Sequence, residues 1–232
     1  MMSFNSHTFS VISGDIVKSS SIPLQELSNL HSTTFQISAE IANIISQPYT
    51  LGFSLYKGDS FQALIHKPEI SPLIALVFRT LLRNAFLPLR IDARIAIGIG
   101  QVDVIPKTAD QLGYGSAYTR AGRLLQSMKS KNELLMSSDN KKLDEQINAY
   151  LSLINDLMSK WTSGQVKVIS NAFYYMNSDN LNKVIANERK VAESTISIHL
   201  KKASYHSIIN SMNVISALIK EQCSLTKHSN NS

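Results

Sequence analysis

Short apolar runs alternate with longer amphipathic segments over the first 138 residues of the chain. Short runs of apolar and β-branched residues predict strands, and apolar residues at intervals of three and four predict helices. The predicted elements are a strand at 8–13, a helix at 22–46, strands at 51–57 and 61–66, a helix at 70–86 and a strand at 94–104. Gly58-Asp59-Ser60 separates the two middle strands and predicts a hairpin turn. The order β-α-β-β-α-β predicts an α+β domain of the ferredoxin-like type, which also forms the palm of many nucleotide-processing domains.

The rest of the chain is predicted to be almost entirely helical. A helix at 116–129 and a short strand at 133–137 complete the first domain, and a connecting helix follows at 141–161. Further helices are predicted at 163–176, 180–188, 193–204 and 206–221. The expected organisation is an α/β domain at 1–138, a connecting segment at 139–161, an all-α domain at 162–222 and a disordered tail at 223–232.

The composition excludes a fold held together by disulfides and gives no sign of a membrane span. Cys223 is the one cysteine in the chain. The apolar runs are shorter than the roughly 20 residues that cross a bilayer. The first 15 residues lack the basic and apolar blocks of an export signal. We therefore expect a cytoplasmic protein.

Positive charge is concentrated in the C-terminal part of the chain. Residues 160–232 contain nine Lys and Arg against four Asp and Glu, whereas residues 1–159 contain 14 against 13. A basic part beside a nearly neutral part indicates contact with a polyanion, and a solvated basic surface is the alternative. Charge alone does not decide between the two.

Asp15 and Asp59 are the candidate metal ligands. Asp15 follows the first predicted strand and Asp59 occupies the hairpin turn, and in a sheet of this order the first strand and the hairpin are neighbours. Two carboxylates at one edge of a sheet suit Mg²⁺ or Mn²⁺, ions that bridge a triphosphate in phosphoryl chemistry. The alternative is structural, with Asp15 in a helix cap or an Asx turn and Asp59 as a plain turn residue.

Four segments resemble the class III nucleotide cyclase catalytic domain. They are Asp15-Ile16, the hairpin segment 57–61, the strand 94–100 and the helix segment 115–124. The roles that the resemblance implies are metal binding for Asp15 and Asp59, nucleotide binding for Ile16, Lys57 and Gly58, and catalysis for Arg123 and Thr119. It also implies a homodimer, with Arg123 of one chain near the aspartates of the other.

The chain departs from the cyclase pattern in three respects, one of which is that the base-reading lysine is left unassigned, with Lys57 near its position. Thr119 stands where the family has asparagine, and Leu112 stands where an acidic residue reads the base. The palm of diguanylate cyclases is a second resemblance in the same hairpin. There, Lys57 replaces a glycine and Ser60 replaces a needed carboxylate, which favours the first resemblance.

Over nearly its whole length, the sequence resembles the bacterial SatD family. The shared pattern consists of Gly14-Asp15-Ile16, the hairpin segment 58–64, the strand 94–100, the helix start 115–118 and the segment 161–165 before the C-terminal helices. The combination is more specific than any of its parts. The resemblance implies the architecture more firmly than the activity.

Residues 191–203 resemble the recognition helix of bacterial helix-turn-helix regulators. Ile196 and Leu200 are one turn apart and are predicted to pack inward. The residues predicted to face DNA are Ser194, Thr195, Ser197 and His199 at base edges or phosphates, and Lys201 and Lys202 at phosphates. An ordinary helical bundle with a hydrated polar face is the alternative.

Two functions are consistent with these patterns. In the first, a nucleoside triphosphate or cyclic nucleotide binds the palm and changes how the helix-turn-helix module meets DNA. The substitutions at Thr119 and Leu112 favour this regulator. In the second, the protein is an active nucleotidyl cyclase or a related phosphoryl-transfer enzyme, which the intact Asp15, Asp59 and Arg123 favour.

Overall fold

A computed structural model describes most of the 232-residue chain. The described residues are 8–19, 22–23, 27–46, 49–56, 58–106, 113–128 and 133–229. The strands are β1 (Thr8–Val17), β2 (Leu51–Tyr56), β3 (Ser60–Ile65), β4 (Asp92–Gln101) and β5 (Leu134–Ser137). The helices are α1 (Leu27–Ile45), α2 (Ser71–Ala85), α3 (Ser116–Ser127), α4 (Lys141–Ser159), α5 (Ser163–Tyr174), α6 (Leu181–Arg189), α7 (Glu193–Lys202) and α8 (Tyr205–Ser229). Short 3-10 turns at Pro68–Ile70 and Leu87–Leu89 flank α2.

Strand β1 is the central strand of a five-stranded sheet with the order β2-β3-β1-β4-β5. It pairs antiparallel with β3 and β4, and β5 pairs parallel with β4. The elements from β1 to β4 follow the predicted order β-α-β-β-α-β. The mixed α+β class expected from the hydrophobic pattern is therefore confirmed, and β1 lies beside both the hairpin and β4.

Alternation along the strands gives the sheet two different faces. Ile12 and Ile16 of β1 belong to the main core together with side chains of α1 and α2. In that core Phe78 of α2 stacks on Phe53 with 4.0 Å between the ring centroids. The opposite face carries Val11, which packs with α3 in a second, smaller cluster. The α3 face is the one that carries the candidate site.

Helix α3 lies close to β4 because glycine occupies the strand at the contact. A Cβ at Gly98 would lie 2.2 Å from the carbonyl oxygen of Ala117 and 2.5 Å from the nitrogen of Ala121. Both alanines are fully buried, so small residues on both elements set the distance between them. The alternation of isoleucine and glycine in β4 thus presents isoleucine to the main core and glycine to α3.

Two asparagines of α4 form hydrogen bonds with the backbone N–H and C=O groups at the outer edge of β5. Asn155 accepts a hydrogen bond from the N–H of Leu134 at 3.0 Å and donates one to the carbonyl of Leu134 at 3.1 Å. Asn148 makes the same pair of bonds with Met136, both at 2.8 Å. Because an unpaired edge strand invites pairing with another chain, these amides also protect this side of the sheet.

The fully buried guanidinium of Arg79 joins α2, β4 and α4. Its Nε donates to Oδ1 of Asp92 at 2.7 Å, its Nη2 donates to Oδ2 at 3.1 Å, and its Nη1 donates to Oδ1 of Asn155 at 2.7 Å. Burial acts to raise the pKa of Asp92, but the charge and hydrogen bonds of Arg79, with the charge of Arg83, outweigh it and lower that pKa. Since Asn155 also binds β5, one polar network connects the sheet to the helices that follow it.

The predicted connecting helix is present as α4, and its buried residues belong to the same core as the sheet. Arg83 of α2 donates from Nη1 to the carbonyl of Met158 at 2.8 Å, and its guanidinium lies 5.9 Å from the ring centroid of Trp161. The indole Nε1 of Trp161 donates to the carbonyl of Ala203 at 3.1 Å. One buried cluster therefore extends from β1 to α8, and the domain boundaries drawn from the sequence stay predictions.

Helix α8 extends further than the sequence pattern predicts. It continues to Ser229, so residues 223–229 are helical where a disordered tail is expected from the sequence. That segment contains no glycine or proline to end the helix, and Cys223 packs against the core. Asn140 Nδ2 also donates to Gln222 Oε1 at 2.9 Å, which fixes this part of α8 to α4. Residues 230–232 lie outside the described residues.

In the part of the chain that the structure describes, no helix is both long and apolar enough to span a membrane.

Replacing Arg79 with methionine should destabilise the protein strongly. The variant leaves the Asp92 carboxylate in the interior without its partner, and breaking a buried ion pair from one side costs about 3–5 kcal/mol. Urea unfolding followed by far-UV circular dichroism would measure the free energy of unfolding. Lys160→Ala is the control, because its ion pair with Asp156 is exposed and such pairs contribute roughly 0.5 kcal/mol. Small and equal effects of the two variants would contradict the role given to Arg79.

The lowered pKa of Asp92 predicts a loss of stability in acid. Its carboxylate stabilises the fold fully above the pKa of an unfolded aspartate, about 3.9. This contribution disappears as the pH falls through the lower folded-state pKa. Asp92→Asn should therefore flatten the dependence of the free energy of unfolding on pH below about 4, whereas the exposed-site variant Asp156→Asn should not. Urea titrations at a series of pH values would test this, and a slope unchanged by Asp92→Asn would refute it.

Candidate functional site

Asp15 lies inside β1 rather than after it, which corrects the position expected from the sequence. The strand continues past it, and Asp15 pairs in register with Ser60 of β3 and Arg94 of β4. The preceding Gly14 is required by close packing rather than by a turn, since a Cβ there would lie 2.3 Å from the Arg94 carbonyl oxygen and 2.4 Å from Cζ of Phe61. The strand therefore remains extended and carries Asp15 on the face that α3 covers.

Asp59 lies in the turn between β2 and β3, as the hairpin pattern predicts. Gly58 before it has a φ of 83°, a left-handed conformation that favours glycine. The Asp59 carboxylate accepts a hydrogen bond from Ser19 Oγ at 2.6 Å, and its backbone carbonyl accepts one from the N–H of Ile16 at 3.0 Å. These bonds fix the hairpin turn to the end of β1. Both aspartates consequently lie at the same end of the sheet.

Arg94 is the immediate partner of Asp15. Its Nε donates to Oδ1 of Asp15 at 2.8 Å and its Nη2 donates to Oδ2 in a close contact, so both carboxylate oxygens are engaged. Its Nη1 donates to the carbonyl of Met128, the residue that follows α3, at 3.1 Å. The hydrogen bonds to Asp15, with the charges of Asp15 and Asp59, outweigh partial burial and raise the pKa of Arg94. One guanidinium therefore interacts with both candidate metal ligands.

The motif in β4 does not by itself assign Arg94 to the candidate site, although the alternation of residues in this strand indicates a role for it. In β4 the alternation places Arg94 on the same face as Ala96, Gly98 and Gly100, with isoleucines on the other face. An arginine on a face of small, buried residues needs an anionic partner. The register between β1 and β4 identifies that partner as Asp15, and register is not readable from one sequence.

The donor set does not fit the divalent ion that the sequence predicts. Both oxygens of Asp15 bind Arg94, and one oxygen of Asp59 binds Ser19. Mg²⁺ and Mn²⁺ need several oxygen ligands, and an adjacent guanidinium repels them. Within the described ranges, no group of three or more His, Cys, Asp or Glu could hold a metal ion. The carboxylates are paired with protein groups rather than open to a cation.

The predicted nucleotide-binding residues contribute little side-chain chemistry where the structure describes them. The side chain of Ile16 is 2 % exposed and packs in the main core, so it cannot reach a ligand. Gly58 is exposed, and the space beside its Cα is open. Lys57 and Leu112 lie outside the described residues. Among the described residues at this end of the sheet, Arg94 and Asp59 carry the charged side chains that face the α3 side or the hairpin turn.

Thr119 and Arg123 lie on the exposed side of α3. Ala117 and Ala121 take the positions that face the sheet, and the helical period turns Thr119 and Arg123 to solvent. The hydroxyl of Thr119 donates to the carbonyl of Gly115 at 3.2 Å, within the helix itself. Within a single copy of the chain, Thr119 and Arg123 do not face the two aspartates. A site that combines all four residues would need a second copy.

Helices α5, α6 and α7 pack together with short connections. Thr162 and Gln165 form a capping box at the start of α5, with hydrogen bonds of 2.7 and 3.3 Å. Residues 190–192 join α6 to α7, and Lys190 there has a φ of 54°. Ile196 and Leu200 of α7 are buried, as predicted. The opposite face of α7 is consequently turned to solvent.

The exposed face of α7 carries four of the six residues predicted to face DNA, namely Ser194, Ser197, Lys201 and Lys202. Thr195 and His199 are half-buried instead. The His199 ring lies against the first turn of α5, where a Cβ at Gly164 would be 3.1 Å from its Cε1. These two positions fall on the flank of α7 that packs toward α5, which the helical period alone does not reveal. Ile198, 53 % exposed, completes the outer face.

The fold and the site define a mixed α+β protein with an aspartate–arginine pair on its sheet and a helical C-terminal part. The chain belongs to the SatD family, whose model matches residues 9–219 and so includes the sheet and most of the helices. No curated protein matches the chain.

Among solved structures, the chain is similar to the crystal structure of the guanylyl cyclase Cya2, with 12 % identity, a TM-score of 0.40 and coverage of 56 % of this chain and 74 % of that one. It is also similar to a bacterial light-regulated adenylyl cyclase, with 19 % identity and a TM-score of 0.37. That match covers 51 % of this chain and 39 % of the adenylyl cyclase.

Proposed function

We propose that this SatD family protein is a DNA-binding regulator whose sheet part binds a nucleotide without converting it. The observation that carries the proposal is the exposed face of α7, which presents two serines and two lysines after a three-residue connection from α6. Serine is one of the side chains that recognition helices use at base edges, and lysine contacts phosphates. We therefore assign α6 and α7 to a helix-turn-helix module. The DNA contacts of the module are Ser194, Ser197, Lys201 and Lys202.

The two half-buried residues of α7 have a different role in this proposal. His199 lies against Gly164 and so sets how α7 sits on α5, and Thr195 lies on the same flank. The excess of Lys and Arg over Asp and Glu in residues 160–232 supports a polyanionic partner for this part of the chain.

Three features support nucleotide binding without turnover in the sheet part. The position of β1 between β3 and β4 supports the ferredoxin-like palm predicted from the sequence. Arg94 pairs with Asp15 where turnover would require a divalent ion. Thr119 replaces the asparagine of the cyclase pattern, with a shorter side chain. The ligand class is a nucleoside triphosphate or a cyclic nucleotide.

Contacts between the two parts provide a path for coupling. Helix α2 packs against α5. The hydroxyl of Tyr174 in α5 donates to the carboxylate of Glu40 in α1 in a close contact. With the network around Arg79, these contacts connect both helices of the main sheet face to the helical part. A displacement of α1 or α2 on ligand binding would therefore reach α5 and, through it, α7.

An active nucleotidyl cyclase, or a related phosphoryl-transfer enzyme, is the second candidate. It is favoured by one observation, which is that Asp15 and Asp59 lie at the same end of the sheet and act on the same guanidinium. Arg123 is exposed and would be available to a second copy in a homodimer. In this candidate the Arg94–Asp15 pair has to open before a metal can bind.

Replacing both Lys201 and Lys202 with alanine should weaken DNA binding and reduce its dependence on salt. Each phosphate contact contributes roughly 0.9 to the slope of log K against log salt concentration. The double variant should therefore lower the slope by about 2. Fluorescence anisotropy of a labelled duplex in a series of NaCl concentrations measures this slope.

The matched control is the double variant Lys141→Ala, Lys142→Ala, which removes the same charge from exposed positions at the start of α4. Its slope should equal that of the wild type. If the two double variants give equal slopes of log K against log salt concentration, α7 is not part of the DNA interface. A wild-type affinity that does not change with salt would refute DNA binding altogether.

Purified protein incubated with each nucleoside triphosphate and Mn²⁺ should bind nucleotide and form no cyclic product. Isothermal titration calorimetry measures the binding, and mass spectrometry of the reaction mixture measures the product. Asp59→Ala and the exposed-site variant Asp179→Ala serve as site and control variants. A cyclic nucleotide formed by the wild type and Asp179→Ala but not by Asp59→Ala would establish the enzyme instead. If the protein binds none of the nucleotides, the proposed nucleotide-binding role of the sheet part is wrong.

A further inference from the structure

We infer that Arg94 is an internal cation that takes the place of a divalent metal, so that the aspartate pair of this protein is closed to metal ions. The inference rests on the cyclase-like site of the proposed function and is independent of DNA binding. Three features support it: the hydrogen bonds that hold the Arg94 guanidinium, the carboxylates near it, and the two uncompensated carboxylates that its removal would leave.

The pairing between Arg94 and Asp15 uses the whole carboxylate. Nε and Nη2 each donate to a different oxygen, which is the fork geometry that arginine forms with carboxylates. A metal ion would have to displace at least one of these two bonds to gain a ligand. The register of β1 and β4 places the two residues directly opposite each other, so the pair is set by the strand ladder rather than by a flexible loop.

Two carboxylates and a backbone carbonyl act on the Arg94 guanidinium. Asp15 contacts it directly, the charge of Asp59 acts on it, and the carbonyl of Met128, the residue after α3, accepts a hydrogen bond from Nη1. The side chains of Arg94 and Asp15 are only 26 % and 22 % exposed, so solvent screens the pair less than it screens a surface pair. A planar, permanently charged guanidinium suits this role better than a lysine ammonium would.

Removal of the guanidinium would leave two uncompensated carboxylates at one end of the sheet. Asp15 would lose both of its hydrogen bonds from Arg94, and Asp59 would keep its bond from Ser19. Two carboxylates without a neighbouring cation attract a divalent ion, which prefers oxygen ligands. The substitution Arg94→Gln should therefore create a cation site that the wild type lacks.

The test is Mn²⁺ binding to the full chain, without nucleotide or DNA. Free Mn²⁺ is measured by electron paramagnetic resonance, and the Tm is measured with and without MnCl₂. The wild type should bind with a Kd weaker than about 1 mM, and Arg94→Gln should bind at least roughly tenfold more tightly. Saturating Mn²⁺ should raise the Tm of Arg94→Gln by roughly 5 °C and leave that of the wild type unchanged.

Three variants make the result specific. Arg94→Lys keeps the positive charge and should not gain Mn²⁺ binding. Arg189→Gln removes a hydrogen-bonded arginine from α6 and should behave as the wild type. Adding Asp59→Asn to Arg94→Gln should abolish the gain.

Two results would overturn the inference. One is a folded Arg94→Gln protein that binds Mn²⁺ no better than the wild type. The other is a wild type that binds Mn²⁺ below 1 mM, roughly the weak limit expected here, and loses that binding with Asp59→Asn. The second result needs no Arg94 variant, so the inference can be judged even where Arg94→Gln does not fold. Neither result depends on nucleotide or DNA, so a failure here is distinguishable from a failure of the proposed function.

Discussion

The buried guanidinium of Arg79 joins the sheet to the helices that follow it. A charge without water is tolerated only when its donors are matched, and Arg79 meets that condition through both oxygens of Asp92 and the amide of Asn155. These partners come from β4 and α4, so the ion pair fixes the helical part against the sheet. Asn155 then completes the edge of β5. The sheet and the helical part therefore share one buried core, and the Arg79–Asp92 ion pair is buried beside it.

A second arginine–aspartate pair, two residues further along β4, has a different character. Arg94 and Asp15 remain partly exposed, and Asp15 is one of the two metal ligands predicted from the sequence. The same chemistry thus serves two purposes on one strand: Asp92 anchors a helix, and Arg94 neutralises a carboxylate that the fold would otherwise leave open. In the proposed function, this guanidinium takes the place of a metal ion, so that the sheet retains both aspartates and acts as a binding domain. The proposed DNA contacts of α7 would give such a domain an output.

The sequence pattern was sufficient for the order of the elements, because alternation in strands and three-to-four spacing in helices are local properties. It also identified the inward-facing Ile196 and Leu200 for the same reason. The pairing of Asp15 with Arg94 could not be predicted, since it depends on strand register between residues 79 positions apart. The first strand was predicted to end at residue 13, before Gly14, because glycine serves turns and close packing alike, and only the position of Phe61 decides between them. The contact of His199 with Gly164 of α5 could not be predicted either, because it depends on how the two helices pack.

The proposed function couples nucleotide binding to DNA binding through the packed interface between the sheet and the helices. The decisive measurement is the Kd of the full chain for a labelled duplex at one salt concentration, with and without a saturating nucleotide from the triphosphate and cyclic series. At least one nucleotide should change this Kd by roughly fivefold or more, the range of ordinary allosteric coupling. A Kd that is the same with every nucleotide shown to bind would refute the coupling.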